Sequence, residues 1–191
     1  MADPDRARAL AEQLAPDVAD ALLTRAVVAA VEHPTGVQAL ARRPVEDRSV
    51  LHGRTAPLLL LDAPRHPGNA GAAVRVAAAA GASGVVMTGE LDPWHPAVVR
   101  GSAGLHYALP VLGVDVAEMT GPLLVLDADG DPLRDVPDDA VLVVGSERAG
   151  VGPQARQRAD AVVALPMRSG VSSLNLATAA SAVLYAWRLG R

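Results

Sequence analysis

The chain reads as an α/β fold: a mostly parallel sheet with helices on both faces, preceded by a short helical N-terminal extension. Three observations point there. From Pro57 onward, short apolar runs alternate with helical stretches, a pattern that builds parallel strand-helix-strand units. The runs are continuously apolar, as expected of strands buried on both faces. The length of 191 residues suits one domain plus a small extension and suffices to bury a core.

Taken in order, residues 5 to 32 carry apolar side chains at threes and fours (Leu10, Leu14, Val18, Leu22, Leu23, Val27) and predict a helix. His33-Pro34-Thr35-Gly36 breaks it. A second short helix is expected over 37–41, and 42–56 reads as a charged linker, so the expected domains are 1–56 and 57–191. The first strand is 58–61. Asn69 is placed to cap a helix over 70–80 that Gly81 ends. A second strand follows at 85–88 and a short helix at 96–102. Further strands are expected at 109–114, 123–127, 141–144 and 161–165, with helices over 153–159 and 173–189.

Half the residues are apolar, yet Phe is absent and there are only two Trp and two Tyr, so the core must be Ala, Val and Leu. Every basic side chain outside histidine is arginine. A net charge of −4 argues against a uniformly basic nucleic-acid-binding surface but allows a local arginine patch. Without cysteine there is no disulfide, thiolate zinc site or thiol nucleophile, and no metal is expected. The acidic start lacks a signal-peptide layout and no run approaches a membrane span, so the expectation is a soluble, cytoplasmic protein without a membrane partner.

Three stretches carry the chemistry. Pro64 to Arg75 follows a strand and turns through Gly68 and Gly71 into a helix. The full Gly-x-Gly-x-x-Gly dinucleotide fingerprint is absent, which disfavours a nicotinamide oxidoreductase. Asn69 here is either an N-cap or a site residue, and Arg75 either a solvated helix residue or a functional one. Val143 to Gly152 delivers Gly145, Ser146, Glu147 and Arg148 from a buried strand into a Gly-rich loop. Leu165-Pro166-Met167 leads through a Gly170 turn to Ser172-Ser173-Leu174-Asn175 and an Ala-rich helix, with more capping residues than one helix start needs.

These stretches, in this order, resemble the SpoU/TrmH family of RNA ribose 2′-O-methyltransferases. Asn69-x-Gly71 with Arg75 looks like the family's first motif, Gly145-Ser146-Glu147 its second, and Leu165 to Asn175 its third. Arg100-Gly101-Ser102-Ala103-Gly104 leading into Leu109-Pro110-Val111 also matches the family's pattern. The resemblance implies a SPOUT fold whose C-terminal segment threads a deep trefoil knot, where periodicity alone predicts an open sheet. It implies an S-adenosylmethionine-dependent enzyme methylating a ribose 2′-hydroxyl in tRNA or rRNA, working as a homodimer with shared sites. The other reading it leaves is a non-catalytic RNA- or cofactor-binding homologue. By position, Val144, Gly145, Ser146, Leu165, Met167 and Leu174 are expected at the cofactor. Arg75, Asn69, Glu147, Ser173 and Asn175 are expected at the catalytic centre. Arg65, Arg100, Arg148 and Arg168 are candidates for RNA phosphates. Many relatives carry Asn or Asp where this chain has His66, for which contact with RNA or packing are the two readings, packing being the one expected.

Overall fold

The computed structural model describes residues 2–27, 34, 36–38 and 40–191. The chain forms two compact units, Met1–Arg43 and Pro44–Arg191. In the first, helix α1 (Pro4–Ala11) is capped by the Asp3 carboxylate, which accepts from the backbone N–H of Asp5 and Arg6. Helix α2 (Pro16–Arg25) packs on α1. The single helix expected over 5–32 is therefore two. Pro16 lacks an N–H and holds Ala15 in extended backbone (φ −58°, ψ 145°), which ends one helix and starts another. Residues 28–32 of that expectation lie outside the described residues. The helix expected over 37–41 is absent among the described residues; Val37 instead pairs with Ala2 in an antiparallel bridge.

The second unit holds six parallel strands in the order β3-β2-β1-β5-β4-β6. They are β1 (Leu58–Asp62), β2 (Gly84–Met87), β3 (Val111–Gly113), β4 (Leu123–Pro132), β5 (Val141–Gly145) and β6 (Ala161–Ala164). Strand alternation divides the core. Leu59 and Leu61 face helices α3 (Pro67–Ala80) and α6 (Leu176–Leu189), joined by Val98 of α4 (Pro96–Gly101). Leu58 and Leu60 face the other side, covered by Val50, Leu51, Val116 and Met119 on short 3-10 turns and by Ala155 of α5 (Pro153–Arg158). The charged linker expected over 42–56 thus ends in a packed turn, Arg48–Leu51, because Val50 and Leu51 have an apolar sheet face to cover.

Alanine and glycine set the helix spacing. Ala70, Ala73, Ala77 and Ala80 line the buried face of α3, which packs closely against α6 and α4. At Gly71 a Cβ would lie 2.3 Å from the Val98 carbonyl oxygen, so only glycine lets α3 and α4 meet here. Helix α3 begins at Pro67, three residues before the expected start, since proline is well suited to a first helical position. Gly81 ends it in left-handed backbone (φ 78°), as expected. Helix α6 begins at Leu176, capped by the Asn175 side chain, three residues later than expected. Its Ala180 and Leu184 are buried in the core, so that face packs internally.

Strand β4 departs most from expectation. It continues past Asp127 to Pro132, and its pairing with β6 shifts register between Leu126 and Asp131. The bulge carries Asp127 and Ala128 away from the ladder. At the other edge, the Trp94 indole N–H donates to the Val111 carbonyl at 3.0 Å.

His106 anchors the loop after β2. It is 1% exposed, with Nε2 2.9 Å from the Pro93 carbonyl, Nδ1 2.7 Å from Ser102 Oγ, and the Trp94 ring edge-on. Burial pushes its pKa below the ordinary value, against the opposing pull of the Pro93 carbonyl. The unfolded chain therefore takes up the proton first as pH falls, so the contribution of neutral His106 is complete above the ordinary imidazole range and is lost below it. Stability measured by urea unfolding should fall between about pH 7 and pH 5. His106→Gln should be less stable at pH 7 by about 1–3 kcal/mol and lose that part of the pH dependence; an unchanged slope would place the effect elsewhere.

Candidate active site

The C-terminal ends of β4, β5 and β6 meet the segment 165–175 around a cavity of about 290 Å³. Parallel sheets expose unpaired backbone groups at this end, where ligands gather. Its geometry starts at β5. After Gly145 the chain folds back on itself, Ser146 and Gly150 exchanging backbone hydrogen bonds of 3.0 Å each way. A Cβ on Gly145 would lie 2.1 Å from the Gly150 carbonyl carbon, so the fold-back requires glycine. The loop is held from below by Asp62, a buried carboxylate that accepts from the Gly152 N–H and the Thr88 hydroxyl, both at 2.6 Å.

All six residues expected at the cofactor, Val144, Gly145, Ser146, Leu165, Met167 and Leu174, line this one cavity. They come from two of the three stretches of sequence, and the character of the wall is mixed: aliphatic and thioether side chains beside a hydroxyl and exposed backbone. Glu147, Arg148 and Ser173 line it as well. Sequence reasoning did not pick out Leu126, Asp127 and Ala128, which the β4 bulge brings into the wall. Asp127 is ion-paired with Arg156. The alternation of Asp and Gly in Asp127-Ala128-Asp129-Gly130-Asp131 was the available turn signal.

Asn69 does not cap its helix. Its amide N–H donates to Glu147 Oε1 at 2.7 Å, joining the first motif to the second. Burial works to raise the Glu147 pKa, but the Asn69 amide, the nearby backbone N–H groups of Glu147 and Arg65 and the charge of His66 outweigh it. The carboxyl is held below its usual range. Its other oxygen, Oε2, is buried with no hydrogen-bond partner. The Asn175 side-chain oxygen accepts from Ala177 N at 2.9 Å and Thr178 N at 3.4 Å, so that oxygen serves the helix cap. His66 is exposed, contrary to the packing role expected of it, because it occupies the N-cap position at the outer end of α3.

Arg75 is not brought to this cavity. Six residues along a helix place it about 9 Å further on and roughly 240° around from Asn69. It lies on the outward side of α3, exposed and without a hydrogen-bond or ion-pair partner among the described residues. Arg65, Arg100, Arg148 and Arg168 are likewise exposed and unpaired among the described residues. Other arginines in the unit are engaged, Arg48 with Glu118, Arg156 with Asp127, Arg158 with Asp160 and Arg191 with Asp138, while Arg134 and Arg188 are exposed without such a partner among the described residues. Among the described residues no cluster of three metal-ligating side chains forms, and no helix is long and apolar enough to cross a membrane.

Comparison with known proteins meets this geometry. The chain is 33% identical over 172 residues to the 23S rRNA (uridine(2479)-2′-O)-methyltransferase of Streptomyces viridochromogenes, covering 81% of this chain and 60% of that protein. It is 30% identical over 169 residues to the 23S rRNA (guanosine(2553)-2′-O)-methyltransferase RlmP of Bacillus subtilis strain 168, covering 83% and 66%. It therefore spans roughly two-thirds or less of the length of these relatives. The solved SpoU methyltransferase AviRb of S. viridochromogenes, in complex with AdoMet, superposes with a TM-score of 0.70 at 31% identity, covering 78% of this chain and 66% of that one. An AdoMet-bound rRNA methyltransferase from Sinorhizobium meliloti gives 0.63 at 28% identity, covering 70% and 56%. The model of the SpoU rRNA Methylase family matches residues 56–185, the whole sheet and most of α6, and the chain belongs to that family.

Proposed function

We propose that this chain methylates a ribose 2′-hydroxyl of tRNA or rRNA, with S-adenosylmethionine held in the cavity at the ends of β4, β5 and β6. The observation that carries this reading is the convergence of six motif residues from separate stretches on one wall. Its composition, mainly apolar with a few fixed polar groups, suits a nucleoside cofactor. Leu165, Met167 and Leu174 fit a flat adenine and a thioether, and the backbone around Gly145 and Ser146 fits the polar edges. The 2′-O-methyltransferase activities named for the relatives, and the AdoMet held by the two solved methyltransferase structures, support the same assignment.

The cofactor supplies an activated methyl; the protein supplies orientation and electrostatics. A ribose 2′-hydroxyl is a weak nucleophile, so the site must stabilise its developing alkoxide. Arg75 does this as a fixed positive charge, since a guanidinium with a pKa above about 12 makes a poor base. Its outward, unpaired position suits delivery into a second subunit's cavity, and the working unit is a homodimer with shared sites. Asn69 and Glu147 form the rigid wall beside the ribose, and Ser173 and the Asn175 amide complete it. Arg65, Arg100, Arg148 and Arg168 make a basic rim for backbone phosphates, a local patch on a chain of net charge −4. In this reading 57–191 is the methyltransferase domain, 1–56 the helical extension, 165–175 closes a trefoil knot, and the enzyme works in the cytoplasm.

The direct test is incubation with methyl-labelled S-adenosylmethionine and RNA from a strain lacking the gene, followed by nucleoside analysis. Label at a ribose 2′-oxygen is expected; tight cofactor binding with no transfer would establish the non-catalytic reading instead. Arg75→Ala should lower kcat at least about 100-fold while leaving cofactor affinity within a factor of about two. Gly145→Ala should weaken cofactor binding about 10-fold or more, because the added Cβ meets the Gly150 backbone. At a cofactor concentration too low to fill the Gly145→Ala site, mixing the two variants should restore about a quarter of wild-type activity, since heterodimers keep one complete site. No restoration would place Arg75 in its own subunit's site.

A further inference from the structure

The β4 bulge is the part of the cavity wall that the sheet does not support. The pairing of β4 with β5 ends at Leu126, opposite Val144, and its pairing with β6 resumes only at Asp131. Residues 127–130 therefore leave both ladders, and two of them, Asp127 and Ala128, line the cavity. A segment without ladder bonds opens easily unless side chains hold it, and a ligand must then order it at a cost in affinity. The Asp127 carboxylate supplies that hold. Its Oδ1 accepts from the Asp129 N–H at 3.2 Å, which closes the turn, and its Oδ2 accepts from the Nη2–H of Arg156. The turn returns against β6 through Gly130, where a Cβ would lie 2.6 Å from the Val163 nitrogen.

Arg156 belongs to α5 and does not itself line the cavity. Its Nε–H donates to the Val151 carbonyl at 3.3 Å, one residue beyond the Gly150 that closes the β5 fold-back. The same guanidinium thus grips the β4 bulge and the outgoing end of the β5 loop, and both segments contribute to the cavity wall. The start of α5 is fixed as well: the Gly152 N–H is held by Asp62, and the Gly152 carbonyl accepts from the Arg156 N–H at 3.1 Å. We propose that Arg156 is a positioning residue of the cofactor site, a clamp that acts through Asp127 and Val151 to preset the cavity wall before S-adenosylmethionine enters. A planar guanidinium suits this task because its donors point in fixed directions, whereas an ammonium is a single point charge. The Asp127 side chain is 18% exposed and that of Arg156 42%, so water screens the pair in part and its contribution to overall stability is small. The clamp rests on the cofactor site assigned above.

Isothermal titration with S-adenosylmethionine tests the clamp without RNA or turnover. Arg156→Ala should weaken cofactor binding about 5-fold, and Asp127→Asn about as much. The double variant should lose no more than either single one, because both changes open the same clamp. Fully additive losses would overturn the coupling. Arg156→Lys should recover only part of the affinity, since it keeps the charge but not the second bond. Arg158→Ala is the control: it removes the ion pair with Asp160 from the same helix and should leave affinity unchanged. An equal loss in Arg158→Ala would reduce Arg156 to general support of α5 and refute the clamp. In the RNA assay, Arg156→Ala should raise the cofactor KM while kcat and the KM for RNA stay within a factor of about two. Wild-type affinity in Arg156→Ala would refute the clamp and leave the enzyme assignment standing. The expected losses of affinity, with no methyl transfer by the wild type, would keep the clamp and overturn the enzyme assignment instead. Absence of cofactor binding by the wild type would overturn the site, and the clamp with it.

Discussion

One carboxylate organises the cavity end of the sheet. Asp62 closes the central strand β1, where a charged side chain is costly to bury unless it is fully engaged. It is engaged twice, by the Thr88 hydroxyl at the end of β2 and by the Gly152 N–H beyond the β5 loop. Thr88 Oγ1 in turn accepts from the Ala63 N–H at 2.9 Å, fixing the first residue of the loop that leads to His66 and Asn69. Three strand ends are thereby set relative to one another through a single buried group. The Gly145–Gly150 fold-back then has a fixed base, and Glu147 at its tip reaches Asn69. Hydrogen bonds to an ionised acceptor contribute more than neutral ones, and losing one partner leaves the other stranded.

The core beneath this end has no large aromatic anchors, and its order comes from close approach. Small side chains on α3 bring the helix backbone near the sheet and near α4, where the Gly71 contact leaves no room for a methyl group. Dense packing of small groups makes a stiff platform. The other face of the sheet is roofed by short turns and α5, with Arg48, Arg156 and Arg158 tied down in ion pairs. Arg148, by contrast, lines the cavity exposed and without an ion-pair partner among the described residues, a local positive charge on a chain of net negative charge.

Much of this was legible in the sequence. Continuous apolar runs such as 58–61 and 141–144 announced strands covered on both sides, and Gly81 announced a helix end, because these signals depend on local backbone and burial alone. Asn69 shows where local reading stops. Its place before an apolar helix reads as a cap, yet Pro67 lets the helix start earlier and frees the amide for Glu147, 78 residues on. The β4 bulge is only half legible for a similar reason: 127–131 carries an Asp/Gly turn signal, but the register shift belongs to the pairing with β6 and not to either strand alone. Arg75 was legible as a residue of the motif but not as one pointing away from the cavity of its own chain, a fact of helical phase relative to the sheet.

The Trp94 indole at the outer strand β3 has a consequence beyond anchoring its loop. An open sheet offers unpaired carbonyl and amide groups along each outer strand, and another chain can add there and propagate. By donating to the Val111 carbonyl, the indole occupies an acceptor that an incoming strand needs. With β3 only three residues long, one such plug removes a large part of the available ladder. The chain thereby guards a hydrophobic, all-parallel sheet against self-templated growth with one of its two tryptophans.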